Sequence, residues 1–290
     1  MIINHWVVDG TLERKVSNDP PFNLAELLIH NAPPEVVEDA DDLAMRIIYL
    51  TFGGLYPPSV LVSLPPLAVY LSQTLFEMAQ MSTEDIGSVR EEVKTVLEQE
   101  GGWTKMALDR FVKIDSILRE VGRIHGVACF AMGRITVAAG TLLDGVVIPP
   151  GYQVVVNLKH FHRDARVYPS PYAFDPFRFS RLRETEDSGM KYGFTTVDDH
   201  FLSFGAGRHA CPGRFFASMQ LKIIIAITLL DYEVKLPDGK LTRPEGLIFD
   251  GLVVPPLTQH LLFKPRLGKK DNVLVRYAAS ILIKPYRVKA

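Results

Sequence analysis

Apolar residues recur at helical steps in two stretches near the middle of the chain. Ile86, Val89, Val93 and Val96/Leu97 follow Ser82-Thr-Glu-Asp85, a helix-start signal, and the pattern ends near Gly101. A second stripe, Phe111, Ile114, Ile117/Leu118, Val121 and Ile124, closes at Gly126 and carries Glu120 and Arg123. A third segment, from about Phe215 to Leu230, is apolar nearly all round and therefore belongs in a core. Between Ile135 and Leu158 the period changes. β-Branched runs there surround Pro149-Pro150-Gly151, and Pro150 and Gly151 suit the central positions of a type II turn, so a small β-hairpin is expected.

The remaining stretches are less regular. Residues 163–183 are rich in proline and aromatics and read as a loop. Residues 1–41 are polar and irregular, with a helix suggested only over Leu24–Ile29, and residues 268–290 form a basic, weakly patterned tail. The expected organisation is thus an irregular segment 1–41, a mainly α core with a small β region over 42–267, and the tail 268–290. Ile47 to Phe76 carries no formal charge and is long enough to cross a bilayer. Gly53, Gly54, Pro57, Pro58, Pro65 and Pro66 would free backbone groups that hydrocarbon cannot satisfy, so a buried, broken core helix is expected there instead.

Composition narrows the classes of function. With 290 residues, 47% hydrophobic and 22% charged, the chain can bury a sizeable core. A formal net charge of −1 offers no basic field for nucleic acid. Two cysteines, Cys129 and Cys211, allow neither a disulfide framework nor a four-cysteine zinc site, which suits a reducing compartment. The opening MIINHWVVDGTLERK lacks the order of a signal peptide, so an intracellular chain without its own membrane anchor is expected.

The chemistry centres on Cys211. Gly205, Gly207 and Gly213 surround it and an apolar helix starts just afterwards. Glycines let backbone amides approach a sulfur, and a helix N-terminus adds a positive dipole end, which together make a soft, electron-rich ligand. A lone buried cysteine beside a glycine-rich turn is the structural alternative. Cys129, among Val127, Ala128, Phe130 and Ala131, reads simply as a core thiol. His160-Phe-His162 offers a rival metal pair, because alternate residues of a strand point the same way, although no third ligand lies nearby.

The segment Phe204-Gly-Ala-Gly-Arg-His-Ala-Cys-Pro-Gly213 resembles the haem-binding signature of the cytochromes P450, F-x-x-G-x-R-x-C-x-G, through Phe204, Gly207, Cys211 and Gly213. His209 replaces the arginine and can still donate to a haem propionate. Glu120-Val-Gly-Arg123 resembles the family's E-x-x-R pair, and Phe174-Asp-Pro-Phe-Arg-Phe179 its P-E-R-F region. The likeness runs from about Leu43 to Pro265 and is nearest to fungal members. It implies the C-terminal half of the cytochrome P450 fold, haem b held by Cys211 as axial iron ligand, and a structural network of Glu120, Arg123 and Arg178. It also places Arg134 where the family often contacts a haem propionate. A surface arginine is the alternative there.

The implied activity is monooxygenation of a small hydrophobic metabolite, with electrons from NADPH through a flavoprotein reductase. Full-length eukaryotic relatives are expected at the endoplasmic reticulum membrane. The chain departs from the family in two ways. Gly53 and Gly54 keep the small pair beside the iron, but Tyr56 and Pro57 stand where an acid and a threonine normally relay protons. Tyr56 or Ser59 could supply protons instead. The half of the family preceding the central helix has no counterpart. Both departures leave room for an isomerase or dehydratase that needs no such relay, or for an inactive haem-binding remnant.

Overall fold

A computed structural model describes residues 41–42, 44–48, 66–141, 145–186, 191–237, 242–256 and 258–266. The chain divides into two compact units, Met1–Val60 and Leu61–Ala290, and the second contains every element named below. The expected helix over 24–29 and the tail 268–290 lie outside the described residues.

Helix α1 (Pro66–Met78) begins on a proline, which is tolerated in a first turn because its missing amide would be unpaired anyway. From Ala68 to Met78 every residue is buried, polar ones included. No helix among the described residues is long and apolar enough to cross a membrane. Helix α2 (Thr83–Gln99) is capped by Ser82, whose hydroxyl accepts the Asp85 amide at 3.0 Å. It buries Val89, Val93 and Val96, the stripe read from the sequence. The chain then leaves through Gly101 and Gly102, both at positive φ. A short helix α3 (Lys105–Asp109), capped by Thr104, was not legible as a separate element.

Helix α4 (Val112–His125) is buried from Ile114 to Arg123 without interruption. One face presents Ile114, Ile117, Leu118 and Val121, which join Val89 and Val93 of α2 and Tyr70 and Leu71 of α1 in a single core. The opposite face presents Asp115, Ser116, Arg119, Glu120 and Arg123, none of which reaches solvent.

Beyond Gly126, strand β1 (Phe130–Ile135) pairs antiparallel with β4 (Gln153–Asn157), and β2 (Gly140–Thr141) pairs with β3 (Val147–Ile148). The expected hairpin is present, but Pro150 and Gly151 do not form its tip. They sit in the returning arm, clasped by Thr136, which donates through Oγ1 to Pro149 O at 2.6 Å and through its amide to Tyr152 O at 2.9 Å. Gly151 has φ +84°, the left-handed value that such a turn requires. On β1, Ala131 faces Val156 and Arg134 faces Val154, so three steps match two across a bulge in which Met132 takes φ +57°.

A one-turn helix α5 (Leu158–Phe161) leads into the long segment before helix α6 (Arg178–Glu186). The stretch read as a loop to Arg183 is therefore helical from Arg178 onward. Its opening turn is held from outside: Ser116 Oγ on α4 accepts the amides of Phe179 and Ser180, both at 3.1 Å. Helix α7 (Arg214–Asp231) packs against α1, α2 and α4 through Leu221, Ile225 and Leu229. Contrary to the all-round apolar pattern, Phe215 and Phe216 at its start are exposed. Strand β5 (Tyr232–Lys235) pairs with β8 (Leu262–Pro265), and β6 (Leu247–Phe249) with β7 (Leu252–Val254).

Candidate functional site

Cys211 lies on the loop that enters α7. The loop is drawn tight by two backbone bonds, Gly205 amide to Leu202 carbonyl at 2.9 Å and Cys211 amide to Phe204 carbonyl at 2.8 Å. Gly205 and Gly207 take φ of +73° and +60°, conformations costly for any residue with a Cβ. A single 3-10 turn, Gly207–His209, lifts the chain before the cysteine. Gly213 is the N-cap of α7 and brings no side chain to the first-turn amides. A Cβ on Gly213 would lie 3.9 Å from Cys211 Sγ and cover one side of the sulfur.

Beneath the loop, Phe204 stacks on Tyr70 of α1 at 6.1 Å and meets Phe194 edge-on at 5.0 Å. The loop thus rests on an aromatic floor while the sulfur stays exposed. His209, also exposed, accepts from Arg208 Nε at 3.2 Å. Arg134 on β1 is exposed, donates to the Gly133 carbonyl at 2.8 Å, and has no carboxylate partner among the described residues. Gly53, Gly54, Tyr56 and Ser59, with Pro57, lie outside the described residues.

Glu120, Arg123 and Arg178 are brought together. Arg123 grips both Glu120 oxygens at 2.8 Å through Nε and Nη2, a two-pronged geometry that only a guanidinium provides. Arg178 Nε approaches the same carboxylate at 3.1 and 3.2 Å. The remaining donors are spent on carbonyls of the connecting segment: Arg123 on His162, Pro171 and Ala173, and Arg178 on Pro169. One acid between two arginines carries net positive charge, and these carbonyl dipoles offset it in the interior.

The same helix face holds groups that the motif reading missed. Asp115 takes Lys222 of α7 at 2.6 Å, the Phe194 amide at 2.8 Å and Arg183 of α6. Arg119 donates to Gly193 at 2.6 Å and Thr196 at 3.0 Å, pairs with Asp198, and lies 4.1 Å over the Phe201 ring. A signal did exist: polar residues at 115/116, 119/120 and 123 repeat at helical steps opposite the apolar stripe. A solvated face was the ordinary reading of that repeat.

His160 and His162 lie in and just after α5, not on a strand, so the rival metal pair is not formed. His160 is exposed and His162 buried, and the described residues contain no cluster of three metal-ligating side chains. Cys129 is buried, its amide donating to Gly251 at 2.7 Å. A cavity of about 460 Å³ opens at the C-terminal end of α4, lined by His125, Lys159, Arg163, Ser203 and Arg243 among others. Cys211 is not part of its wall.

The donor set suits a porphyrin iron. An exposed thiol on a glycine-pinned turn presents a soft sulfur to solvent, and the described residues hold no cluster of three metal-ligating side chains that would close a tetrahedral metal site.

The cytochrome P450 family model matches residues 68–263. Among curated proteins, the chain is 35% identical over 229 residues to ent-kaurene oxidase P450-4 of Gibberella fujikuroi, covering 78% of this chain and 43% of that one. It is 39% identical over 178 residues to cytochrome P450 monooxygenase 103 of Postia placenta, 61% of this chain and 35% of the relative. Among solved structures, a zebrafish cytochrome P450 with progesterone superposes with a TM-score of 0.60 at 20% identity, covering 83% of this chain and 50% of that chain. The chain spans less than half the length of these curated relatives.

Proposed function

The chain belongs to the cytochrome P450 family, and on that premise we propose that it carries the thiolate-bearing part of a haem monooxygenase acting on a small hydrophobic secondary metabolite. The observation that carries this reading is the exposed Cys211 sulfur, raised on a loop that two backbone bonds and two left-handed glycines hold in one shape. Cys211 would be the axial iron ligand. Phe204 and Gly207 would shape the near side of the loop, and Gly213 would keep the sulfur clear. His209 and Arg134, both exposed, would take the propionates.

When bound, haem supplies the activation of dioxygen, with a cysteine ligand favouring cleavage of the O–O bond. The chain's own task is to hold that sulfur still. Glu120, Arg123 and Arg178 fix the segment from His162 to Arg178 against α4, upstream of the cysteine loop. Electrons would come from NADPH through a flavoprotein reductase, and the relatives' names support a place in fungal-type metabolism.

The test is spectroscopic. The chain is expressed with haem, reduced and exposed to carbon monoxide, and a red-shifted Soret band of a thiolate-ligated complex is expected. Cys211→Ser should abolish the band and Cys129→Ser should retain it. A chain that takes up no haem, or whose band survives Cys211→Ser, overturns the reading.

A further inference from the structure

The Glu120–Arg123 pair and the Cys211 loop do not touch directly, yet an unbroken series of hydrogen bonds connects them. Arg123 Nη1 donates to the carbonyl of His162 at 2.9 Å. The imidazole of the same residue then accepts, through Nε2, the buried amide of Leu202 at 3.0 Å. The carbonyl of Leu202 receives the Gly205 amide, and the Phe204 carbonyl receives that of Cys211. His162 therefore touches the network with its backbone and the loop with its ring.

The ring is held rigidly for this purpose. It is 2% exposed, stacks on Phe201 at 5.5 Å and 20°, and its own amide is anchored to Leu158 at 2.9 Å. An imidazole can accept through Nε2 only while that nitrogen carries no proton. We propose that His162 is the positioning residue through which the Glu120–Arg123 pair fixes the Cys211 loop, its unprotonated Nε2 holding the Leu202 amide. The reading of Cys211 as iron ligand supplies the purpose of this link, while the link itself rests on the hydrogen bonds.

The surroundings keep the acceptor free. Burial first, then the positive charges of Arg123 and Arg119 on α4 and of neighbouring Arg163, push the His162 pKa down to about 4, with Asp198 opposing them. A link of this kind also explains the choice of side chain. Gln can present an acceptor oxygen at a similar reach, whereas Ala leaves a buried amide with no partner.

Hydrogen–deuterium exchange on the full chain provides the test, compared at residues 201–213 and, as internal reference, at 83–99. His162→Ala should speed exchange of the loop by about tenfold or more relative to the reference, the effect of one lost buried hydrogen bond. His162→Gln should restore most of the protection. As pH falls from 6.5 towards 4, the wild-type loop should lose protection beyond the intrinsic rate, while that of His162→Gln should not. Equal behaviour of the Ala and Gln variants, or an unchanged wild-type pH profile, overturns the proposal. If His162→Ala loosens 83–99 as well, the Gln comparison and the pH profile still decide. In haem-loaded samples His162→Ala should lower the share of thiolate-type carbon monoxide complex, with His162→Gln recovering it. A chain that takes up no haem refutes the functional reading and leaves the exchange result standing.

Discussion

Glu120 and Arg178 meet at 3.1 and 3.2 Å across 58 residues of sequence, with the carboxylate fully withdrawn from water. Removing Arg178 leaves a buried carboxylate with Arg123 and the Asp175 amide as its partners, and also frees the carbonyls of the segment that it bridges. Arg178→Ala should cost about 3–5 kcal/mol of unfolding free energy in urea titration. Combining Arg178→Ala with Glu120→Gln should cost less than the two single changes added together, because the second removes the charge that the first strands.

Gly122 has no space for a side chain. A Cβ there would lie 2.8 Å from the Tyr70 hydroxyl, 3.0 Å from Phe201 and 3.2 Å from Ser203 Oγ. Gly122→Ala should destabilise by about 1–3 kcal/mol through overpacking, read from the shift in denaturation midpoint. The Tyr70 hydroxyl is itself buried and makes no hydrogen bond, while the Ser203 hydroxyl beside it donates to the Gly122 carbonyl at 2.9 Å. Tyr70→Phe should therefore be neutral or stabilising and should recover part of the Gly122→Ala loss.

Glu92 on α2 accepts the Lys113 amide at 3.0 and 3.1 Å, at the start of α4. Burial pushes its carboxyl up to about 7, against the pull of that amide and of the Lys113 and Lys222 charges. The folded protein then binds more protons than the unfolded chain between pH 4.5 and 7, so stability should fall as pH rises through this window. Glu92→Gln keeps an acceptor and should flatten the decline, as measured by unfolding at pH 5 and pH 8.

The two cysteines should differ in reactivity by their burial alone. Cys211 should react promptly with a thiol reagent and Cys129 only after denaturation. Added haem should protect Cys211, and equal labelling with and without haem would contradict its role as ligand.

Much of this was legible in the sequence. Helices α2 and α4 declared themselves because each needs one apolar face, and the cysteine loop because its glycines and aromatic positions have fixed spacing. Helix α6 did not, because its first amides are held by Ser116, a residue more than sixty positions earlier. The turn at Pro150-Gly151 was recognised but placed at the wrong point of the hairpin, since the pairing of β2 with β3 rests on only two residues each. Arg119 and Asp115 were missed, and His162 was read only as half of a possible metal pair. Their partners lie 39 or more positions away, distances at which spacing carries no information.

Helix α4 has neither a wet side nor a neutral one. A single residue inserted or deleted near its start would rotate everything downstream by about 100°. Arg119, Glu120 and Arg123 would then swing towards the hydrocarbon of α2 and α7, while Ile117 and Val121 would face the carbonyls now held by guanidinium groups. Most helices of soluble proteins can absorb such a slip by trading exposed positions. This one works as a key cut on both edges, and its phase, more than any one of its side chains, is what the rest of the fold reads.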